Sequence, residues 1–452
     1  MITSTVMLRH AQRMLGCACM ASMLVLPSAQ VSAQPGPDRT GERWVASWGT
    51  APAGPPPLAD QLSLDNQTVR LIVHTSIGGT RVRVRLSNEL GRTPLRIGAA
   101  HLALRASGAA IVPGSDRVLT FGGRAAITIA AGAPALSDPV ALTVPALSDL
   151  AVSLHLPGPT QATTVHPLAF QTNYVSGPGN FTGAAAFPAV RTITSWPFLT
   201  EVDVVTPFLG ATVVALGDSI TDGVVTTLDA NQRWPDFLAR RLQSSRTNFD
   251  APDGDAAEAQ LIAPRQIGVV NRGISGNRLL RDFEGSTVGS AALARFDRDV
   301  LATAGVEYVI VLLGINDIGV GGLLPGEEVV SADDLIAGYR QLIARAHIRG
   351  LAIFGATLTP FEGSFPGYYT PEKERIRQAV NTWIRTSDEF DAVIDFDRAI
   401  RDPARPARML PAFDSGDHLH PNDLGMEALG NAVPLELFRP YRLSRIRPAL
   451  RN

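Results

Sequence analysis

Residues 211–223, Ala-Thr-Val-Val-Ala-Leu-Gly-Asp-Ser-Ile-Thr-Asp-Gly, join an apolar run to a polar turn. The small and β-branched residues at 211–216 predict a buried strand that ends at Gly217. Ser219 is therefore expected at the carboxyl end of a strand. Ligands bind at that edge of an open parallel α/β sheet, because the crevice opens outside the strand ends. A serine after a strand is often only a helix cap, so its role depends on what the rest of the sequence supplies.

Beyond residue 207, β-rich apolar runs alternate with helical patterns. Apolar positions at helical spacing include Trp234, Leu238 and Leu242, and a capping-box pattern at 331–334 precedes another such stretch. This alternation predicts a parallel sheet with helices on both faces. A glycine-rich loop is predicted at 318–330, after the third strand, where it would overhang a site. The five predicted strands are 212–216, 267–271, 308–313, 352–356 and 392–396.

The preceding part of the chain, from residue 44 to 207, shows short strand patterns separated by Gly and Pro, without helical runs. Such a pattern predicts an all-β sandwich or jelly-roll-like domain. Apolar residues alternate at 69–73 and at 82–86, with Ile77-Gly78-Gly79-Thr80 between them. This arrangement predicts a hairpin whose arginines at 81, 83 and 85 face outward.

The N-terminus has the pattern of a secretory signal peptide. Arg9 and Arg13 precede an apolar stretch at 14–26, and Val31-Ser32-Ala33 provides small residues for cleavage before Gln34. The apolar stretch is shorter than the roughly 20 residues of a membrane span, although an uncleaved anchor is the alternative. The expected location is therefore secreted or periplasmic. The expected organisation is a signal peptide at 1–33, a flexible lead-in at 34–43, a β domain at 44–207, an α/β domain at 208–445 and a tail at 446–452.

The charge and the cysteine content of the chain exclude several classes of function. Among 452 residues the formal net charge is −2, which gives no electrostatic footprint for nucleic acid. Both cysteines, Cys17 and Cys19, lie in the predicted signal peptide. The mature protein would therefore lack disulfides, a thiolate nucleophile and cysteine-ligated zinc.

A serine nucleophile needs a base that a third group holds in place. The predicted α/β domain offers His347, His418 and His420. His347 lies inside a predicted helix, which is typical of a surface or packing residue. Of the other two, only His420 follows a carboxylate, Asp417, by three residues. That spacing lets Asp417 accept from one imidazole nitrogen, which leaves the other nitrogen free to take the serine proton.

Two further strand ends offer donors for an oxyanion. A glycine-rich turn, Asn271-Arg272-Gly273-Ile274-Ser275-Gly276-Asn277, follows the second strand, and its backbone N–H groups can approach a ligand closely. Gly314-Ile315-Asn316-Asp317 follows the third strand and supplies a side-chain amide. Singly, the glycines could be ordinary turn residues and Asn316 a helix cap. Together with Ser219 and His420, however, these pieces all fall at strand ends or in the last turn.

These four segments resemble the conserved blocks of the SGNH, or GDSL, serine esterase family. The resembling residues are Gly217-Asp218-Ser219-Ile220, the turn from Gly273 to Gly276, Gly314-Ile315-Asn316-Asp317, and Asp417-His418-Leu419-His420. The resemblance implies Ser219 as nucleophile, His420 as base and Asp417 as the residue that orients it. It also implies an oxyanion hole from the N–H of Ser219, the N–H of Gly276 and the amide of Asn316, with Gly273 as the alternative glycine.

The resemblance also implies a fold and a substrate. Residues 44–50, Trp-Val-Ala-Ser-Trp-Gly-Thr, and the β-rich region after them look like exported bacterial esterases grouped with xylan-associated esterases. The fold implied is a three-layer α/β/α sandwich with a five-stranded parallel sheet, flavodoxin-like, preceded by a β domain. The activity implied is hydrolysis of short-chain, acetyl esters on carbohydrate through an acyl-enzyme, without a cofactor.

Three other interpretations of the function remain open. The enzyme is alternatively a general short-chain aryl or carboxylesterase, or a lipase-like enzyme. Alternatively, Asp417, His418 and His420 form a metal-binding set for hydrolysis. A reading from another class is a non-enzymatic carbohydrate-binding protein with Trp44 or Trp48 as an exposed platform. For these tryptophans we favour a structural role as anchors between the two domains.

Overall fold

The computed structural model describes residues 42–55, 57, 61–206, 209–245, 265–283, 287–323 and 326–438. All features below belong to the compact unit Arg43–Asn452. The predicted signal peptide with both cysteines, nearly all of the lead-in, and the tail at 446–452 lie outside the described residues. We refer to residues 43–206 as the β-rich part and to residues 209–438 as the α/β part.

The β-rich part consists of short strands. In chain order, β1 to β18 are Trp44–Gly49, Ser63–Leu64, Gln67–His74, Gly79–Ser87, Leu95–Ile97, Ala99–Ser107, Ala110–Ile111, Arg117–Leu119, Ile127–Ile129, Pro134–Leu136, Val140–Val144, Asp149–Leu156, Thr160–Gln161, Val165–His166, Asn173–Pro178, Ala189–Ile193, Trp196–Pro197 and Leu199–Val205. One antiparallel sheet has the order β1-β18-β4-β10, with β11 also paired to β4. A larger one has the order β16-β15-β3-β12-β6-β7, with β8 also paired to β6. Apolar side chains from both sheets share one core.

The predicted hairpin between 69–73 and 82–86 is wrong, because β3 and β4 belong to different sheets. β3 pairs with β12 and β15, and both of its faces are buried, so that even Arg70 is fully covered. The connecting residues contact other segments instead: the hydroxyl of Ser76 donates to the carbonyl oxygen of Ser47 over 2.6 Å and accepts from the N–H of Val269 over 2.9 Å. The turn thus crosses between sheets.

The α/β part is built on a five-stranded parallel sheet. Its strands β19 to β23 are Gly210–Gly217, Gln266–Gly273, Val306–Leu312, Ala352–Ala356 and Ala392–Ile394. Their order is β20-β19-β21-β22-β23, with parallel pairing throughout. This is the flavodoxin-like order 2-1-3-4-5, in which the chain reverses direction beside the first strand. The carboxyl end of β19, just before Ser219, is therefore at the switch point where ligands bind in such sheets.

Helices alternate with these strands. In chain order, α1 to α8 are Ser219–Asp222, Trp234–Ser244, Ala292–Phe296, Ile315–Val320, Ala332–Ile348, Pro371–Thr386, Phe396–Ile400 and Asp423–Ala432. A π-helical turn, Asp297–Leu301, continues α3, and a 3₁₀ turn, Leu435–Phe438, follows α8. A two-stranded ribbon of β24 (Arg401–Asp402) and β25 (Arg405–Met409) follows α7. The predicted capping box of α5 is confirmed, since Ser331 and Asp334 bond reciprocally.

Several predicted boundaries differ from the structure. The fifth strand ends at Ile394, because the Asp395 carboxylate accepts from the N–H of Arg398 and starts α7 at Phe396. The sequence from Leu424 to Leu437 also predicts a last helix, but α8 ends at Ala432, two residues before Pro434, which cannot donate a helical hydrogen bond. The loop expected at 318–330 begins inside α4 (Ile315–Val320).

The β-rich and α/β parts are joined through buried polar contacts. Arg272 on β20 forms an ion pair with Glu201 on β18, and both side chains are about 2% exposed. The N–H of Ala46 donates to the hydroxyl of Thr212 over 3.1 Å. Trp44 and Trp48 are 9% and 8% exposed, so neither provides the exposed sugar platform considered from the sequence. Within the described ranges, no helix has both the length and the apolar character needed to cross a bilayer.

Candidate active site

Ser219 lies where β19 meets α1, and its side chain is nearly buried. The chain turns tightly here because Gly217 has no side chain: a Cβ at this position would lie 2.0 Å from Oγ1 of Thr221. Oδ1 of Asp218 accepts from the N–H of Ile220 over 3.1 Å and caps the short helix. The N–H of Ser219 has no partner among the described residues. The strand end thus presents both a hydroxyl and a free N–H.

His420 connects Ser219 to a carboxylate. Its Nε2 lies 2.8 Å from Oγ of Ser219, and its Nδ1 lies 2.6 Å from Oδ2 of Asp417. The other oxygen of Asp417 accepts from the N–H groups of Leu419 (2.9 Å) and His420 (2.8 Å). The fold therefore brings Ser219, His420 and Asp417 together in one continuous chain of hydrogen bonds.

The carboxylate of Asp417 is held in its ionised form. Partial burial acts to raise its pKa, but the hydrogen bonds from the ring and N–H of His420 and from the N–H of Leu419 outweigh it, so that the pKa of Asp417 lies well below its ordinary value. An ionised Asp417 can only accept, so Nδ1 of His420 carries the hydrogen. Nε2 is then free to accept the hydroxyl proton of Ser219.

The turn after β20 separates the two candidate glycines. The N–H of Gly273 already donates to Oδ1 of Asn271 over 2.8 Å. The N–H of Gly276 has no partner within the described ranges. Gly276 also has φ +75°, a left-handed conformation that a side chain disfavours. Of the two glycines, only Gly276 therefore has an N–H available for a ligand.

Asn316 is held on both sides of its amide. It is the second residue of α4, whose N-cap is Gly314, so Asn316 is not a helix cap. Its Nδ2 donates one hydrogen to the carbonyl oxygen of Asn277 over 2.9 Å. Its Oδ1 accepts from the hydroxyl of Tyr368 over 2.8 Å. One amide hydrogen remains for a further acceptor, in an orientation that Tyr368 and Asn277 fix.

Two more carboxyl groups lie buried in this region. Burial raises the pKa of Asp218 to about 7, with the charge of Asp317 contributing in the same direction. Burial likewise raises the pKa of Asp317 to about 6, although it accepts from the N–H groups of Leu279 and Leu280. Oδ2 of Asp218 is buried without a hydrogen-bond partner among the described residues. The carboxyl groups of Asp218 and Asp317 thus change their protonation state near pH 7 and pH 6 in the folded protein.

The other two candidate bases, His347 and His418, are hydrogen-bonded to carboxylates other than Asp417. His347 is partly exposed on α5 and pairs with Asp391 over 3.0 Å. Nδ1 of His418 lies 2.5 Å from Asp414, so His418 and His420 bind different carboxylates. Among the described residues, no group of three or more His, Cys, Asp or Glu side chains is arranged to hold a metal ion.

Sequence reasoning missed three residues that support the site: Tyr368, His166 and Asp222. Tyr368 lies before α6 in a segment without a recognisable motif, and His166 lies in the β-rich part, about fifty residues before Ser219. Asp222 lies within residues 211–223, where the sequence predicts a turn and gives it no partner. Its buried carboxylate, which faces both His166 and Ser275, becomes evident only from the fold.

Residues 215–428 match the model of a family described as GDSL-like lipase/acylhydrolase. The protein is accordingly a hydrolase of carboxylic esters. Within that class, the matched residues form a GDSL-like lipase/acylhydrolase domain. The matched range contains all of the candidate site residues Ser219, Gly276, Asn316, Asp417 and His420.

Comparison with solved structures finds similarity over about half of the chain. An acetylxylan esterase from Geobacillus stearothermophilus is 23% identical with a TM-score of 0.34, over 50% of this chain and 93% of that one. An α/β hydrolase enzyme from the metagenome of Lake Arreo is 20% identical with a TM-score of 0.34, over 50% of this chain and 94% of that one. No curated protein matches the chain in sequence.

Proposed function

We propose that the protein is a serine esterase that works through Ser219, His420 and Asp417. The observation that carries the proposal is the 2.8 Å distance between Oγ of Ser219 and Nε2 of His420, with Asp417 bound to the opposite ring nitrogen. A hydroxyl at this distance from a base can lose its proton as it attacks a carbonyl carbon.

The reaction follows in two steps. Ser219 attacks the ester carbonyl while His420 takes its proton, and the protonated His420 then donates that proton to the departing alcohol. Water attacks the acyl-enzyme with His420 again as base, which releases the acid and restores Ser219. The carboxylate of Asp417 stabilises the imidazolium in both steps. These groups need no cofactor.

The negative charge that develops on the carbonyl oxygen requires donors. We assign them to the N–H groups of Ser219 and Gly276 and to the remaining amide hydrogen of Asn316. Their availability supports the assignment, since neither N–H has another partner in the described parts of the chain and Asn316 is held by Tyr368. Donors fixed in advance stabilise the transition state without reorganisation.

For the substrate we propose short-chain, acetyl esters on carbohydrate. The support is the sequence resemblance of residues 44–50 and the β-rich part to xylan-associated esterases.

We also propose export to the periplasm or medium, which the signal-peptide pattern at 1–33 supports. As a finer description of the fold, we propose a three-layer α/β/α sandwich preceded by a β-sandwich. Two separate helix groups, α2 with α8 and α5 with α6, and the shared core of the antiparallel sheets support it.

Acetate release from acetylated xylan tests the proposal, with p-nitrophenyl acetate and p-nitrophenyl octanoate as parallel substrates. We expect release from all acetyl substrates and none with Ser219→Ala. Cleavage of the nitrophenyl esters alone would retain the serine mechanism but favour a general aryl or carboxylesterase. Equal rates for Ser219→Ala and the unaltered protein would overturn the mechanism.

A further inference from the structure

A buried contact links the β-rich part to the candidate oxyanion hole. Nε2 of His166, on β14, lies 2.9 Å from Oδ1 of Asp222, at the end of α1. The side chains are 2% and 4% exposed. The contact therefore joins two parts of the chain in a water-poor environment, where a polar group left without its partner is destabilising.

The far side of Asp222 holds the turn that carries Gly276. Oδ2 of Asp222 accepts from the N–H of Ser275 over 2.9 Å and from its hydroxyl over 2.7 Å. Ser275 directly precedes Gly276, whose N–H is a proposed oxyanion donor. A displacement of the Asp222 carboxylate would consequently move this N–H.

His166 is fixed in turn by its surroundings. Its Nδ1 lies 2.8 Å from the carbonyl oxygen of Ala51, and its ring lies 5.6 Å from the ring of Trp196. Each ring nitrogen thus lies within hydrogen-bond distance of an oxygen atom, which fixes the orientation of the ring. Arg233 provides a second link, since its Nε donates to the carbonyl oxygen of Asp222 over 2.9 Å and its guanidinium also bonds the carbonyl oxygen of Ala169.

We propose that His166 is a positioning residue of the esterase site, which holds Asp222 and, through Ser275, sets the position of the Gly276 N–H. The β-rich part then completes the oxyanion hole and is more than an appended domain. This inference rests on the proposed serine mechanism. It assigns a role in the reaction to a residue outside the family match at 215–428.

Steady-state kinetics of His166→Gln on p-nitrophenyl acetate test the role. Glutamine cannot reach both Ala51 and Asp222, so the turn should shift. We expect kcat to fall about 10- to 100-fold, the size of effect seen when a reacting geometry is displaced by about 1 Å, with KM within about twofold of the original. The matched control is His101→Gln, which breaks a similar 2.8 Å pair with Asp116 in the same part of the chain and should leave both constants unchanged.

A rescue experiment separates positioning from general destabilisation. Asp222→Ala removes both links and should lose kcat as His166→Gln does. Asp222→Asn retains an oxygen acceptor for Ser275 and places an amide nitrogen within reach of Nε2 of His166, so it should recover at least about tenfold of that loss. Equal activity of the Ala and Asn variants would contradict the proposal.

The remaining outcomes also decide. A folded His166→Gln, as judged by thermal unfolding, with the kcat of His101→Gln would overturn the positioning role, as would a raised KM with unchanged kcat. If His166→Gln does not fold, Ser275→Ala is measured instead, because it removes one hydrogen bond to Asp222 and leaves the β-rich part intact. A lowered kcat of Ser275→Ala supports the positioning role. An unchanged kcat overturns it. If Ser219→Ala remains active, both the proposed mechanism and the role of His166 are overturned. If Ser219→Ala is inactive but His166→Gln is fully active, only the role of His166 is overturned.

Discussion

The hydroxyl of Tyr368 donates to Oδ1 of Asn316 over 2.8 Å, and both side chains are nearly buried. Burial, together with the charges of Asp218 and Asp317, raises the pKa of Tyr368 well above its usual value. Tyr368 therefore remains a hydrogen-bond donor over the working pH range. An amide whose oxygen is held in this way cannot exchange its oxygen and nitrogen ends, so the NH₂ group of Asn316 stays directed away from Tyr368.

Tyr368→Phe should lower kcat by about 3- to 10-fold, because one buried hydrogen bond contributes about 0.5–1.5 kcal/mol and its loss frees the Asn316 amide to rotate. Hydrolysis of p-nitrophenyl acetate measures the effect. Tyr308→Phe is the matched control: it removes a phenol hydroxyl that bonds Arg265 at the opposite end of the sheet, and should leave kcat unchanged. Equal kcat values for the two variants would show that Tyr368 does not orient the amide.

Asn316→Ala should cost about 10²–10³ in kcat, the usual size of the loss when one oxyanion donor is removed. The substrate affinity should change little, since the interaction strengthens only in the transition state. Steady-state kinetics on the same ester would reveal this pattern. A near-native kcat would exclude Asn316 from the oxyanion hole.

Asp417→Asn should lower kcat by about 10²–10⁴. The two N–H groups of Leu419 and His420 require an oxygen acceptor and so keep the asparagine Oδ1 where Oδ1 of Asp417 now lies. The amide nitrogen then faces Nδ1 of His420 and donates to it, which places the ring hydrogen on Nε2, where it blocks proton transfer from Ser219.

Asp414→Asn provides the comparison for that variant. Asp414 holds His418 as Asp417 holds His420, but the histidine hydrogen-bonded to Ser219 is His420. Activity within about twofold of the unaltered protein is expected for Asp414→Asn. Equal losses in the two variants would indicate that the whole turn, and not Asp417 in particular, supports the rate.

The stability of the folded protein should include a component that falls as pH rises from about 4 to 7. Asp218 has a pKa of about 7 in the folded state, against 3.8 as its ordinary value. Between those values the folded state binds more protons than the unfolded state, so unfolding becomes easier with rising pH. Asp317, with a pKa of about 6, acts in the same direction.

Asp218→Asn replaces one of these two titrating carboxyl groups by a neutral amide, whose oxygen still accepts from the N–H of Ile220. The loss of stability between pH 5 and pH 7 should then be smaller, by an amount on the order of a few kcal/mol. Denaturant unfolding at the two pH values, each compared with the unaltered protein, measures the difference. An identical pH dependence in both proteins would mean that Asp218 is ionised throughout.

The parallel sheet was predictable because its strands are continuous β-branched runs between helical patterns. The boundary errors arose where one side chain decided the outcome, as Asp395 does by capping α7. The hairpin prediction failed for a different reason. Alternation identifies two strands, but whether β3 pairs with β4 depends on partners such as β12, about eighty residues further along the chain, which compete for the same edges.

The site divides in a similar way. Ser219, Asp417 and His420 could be proposed from the sequence because they lie in short segments of characteristic residue types. Asp417 and His420 are also one turn apart, so their contact needs no knowledge of the fold. Tyr368 and His166 act on the site across sequence separations of 52 and 56 residues to their partners Asn316 and Asp222. Such contacts depend on how loops and sheets pack, which a single sequence does not reveal.

The pairing of β1 with β18 has a consequence for synthesis of the chain. Trp44 lies opposite Val205, so β1 lacks this neighbour until roughly 160 further residues have been made. At about 5–20 residues per second, this takes about 8–30 s. During that time the strand, whose residues are all buried in the final fold, exposes apolar side chains and unpaired backbone groups. Among the described strands, β1 therefore waits longest in sequence terms for the partner β18, and a chaperone bound to it during this interval would keep it from pairing with other chains.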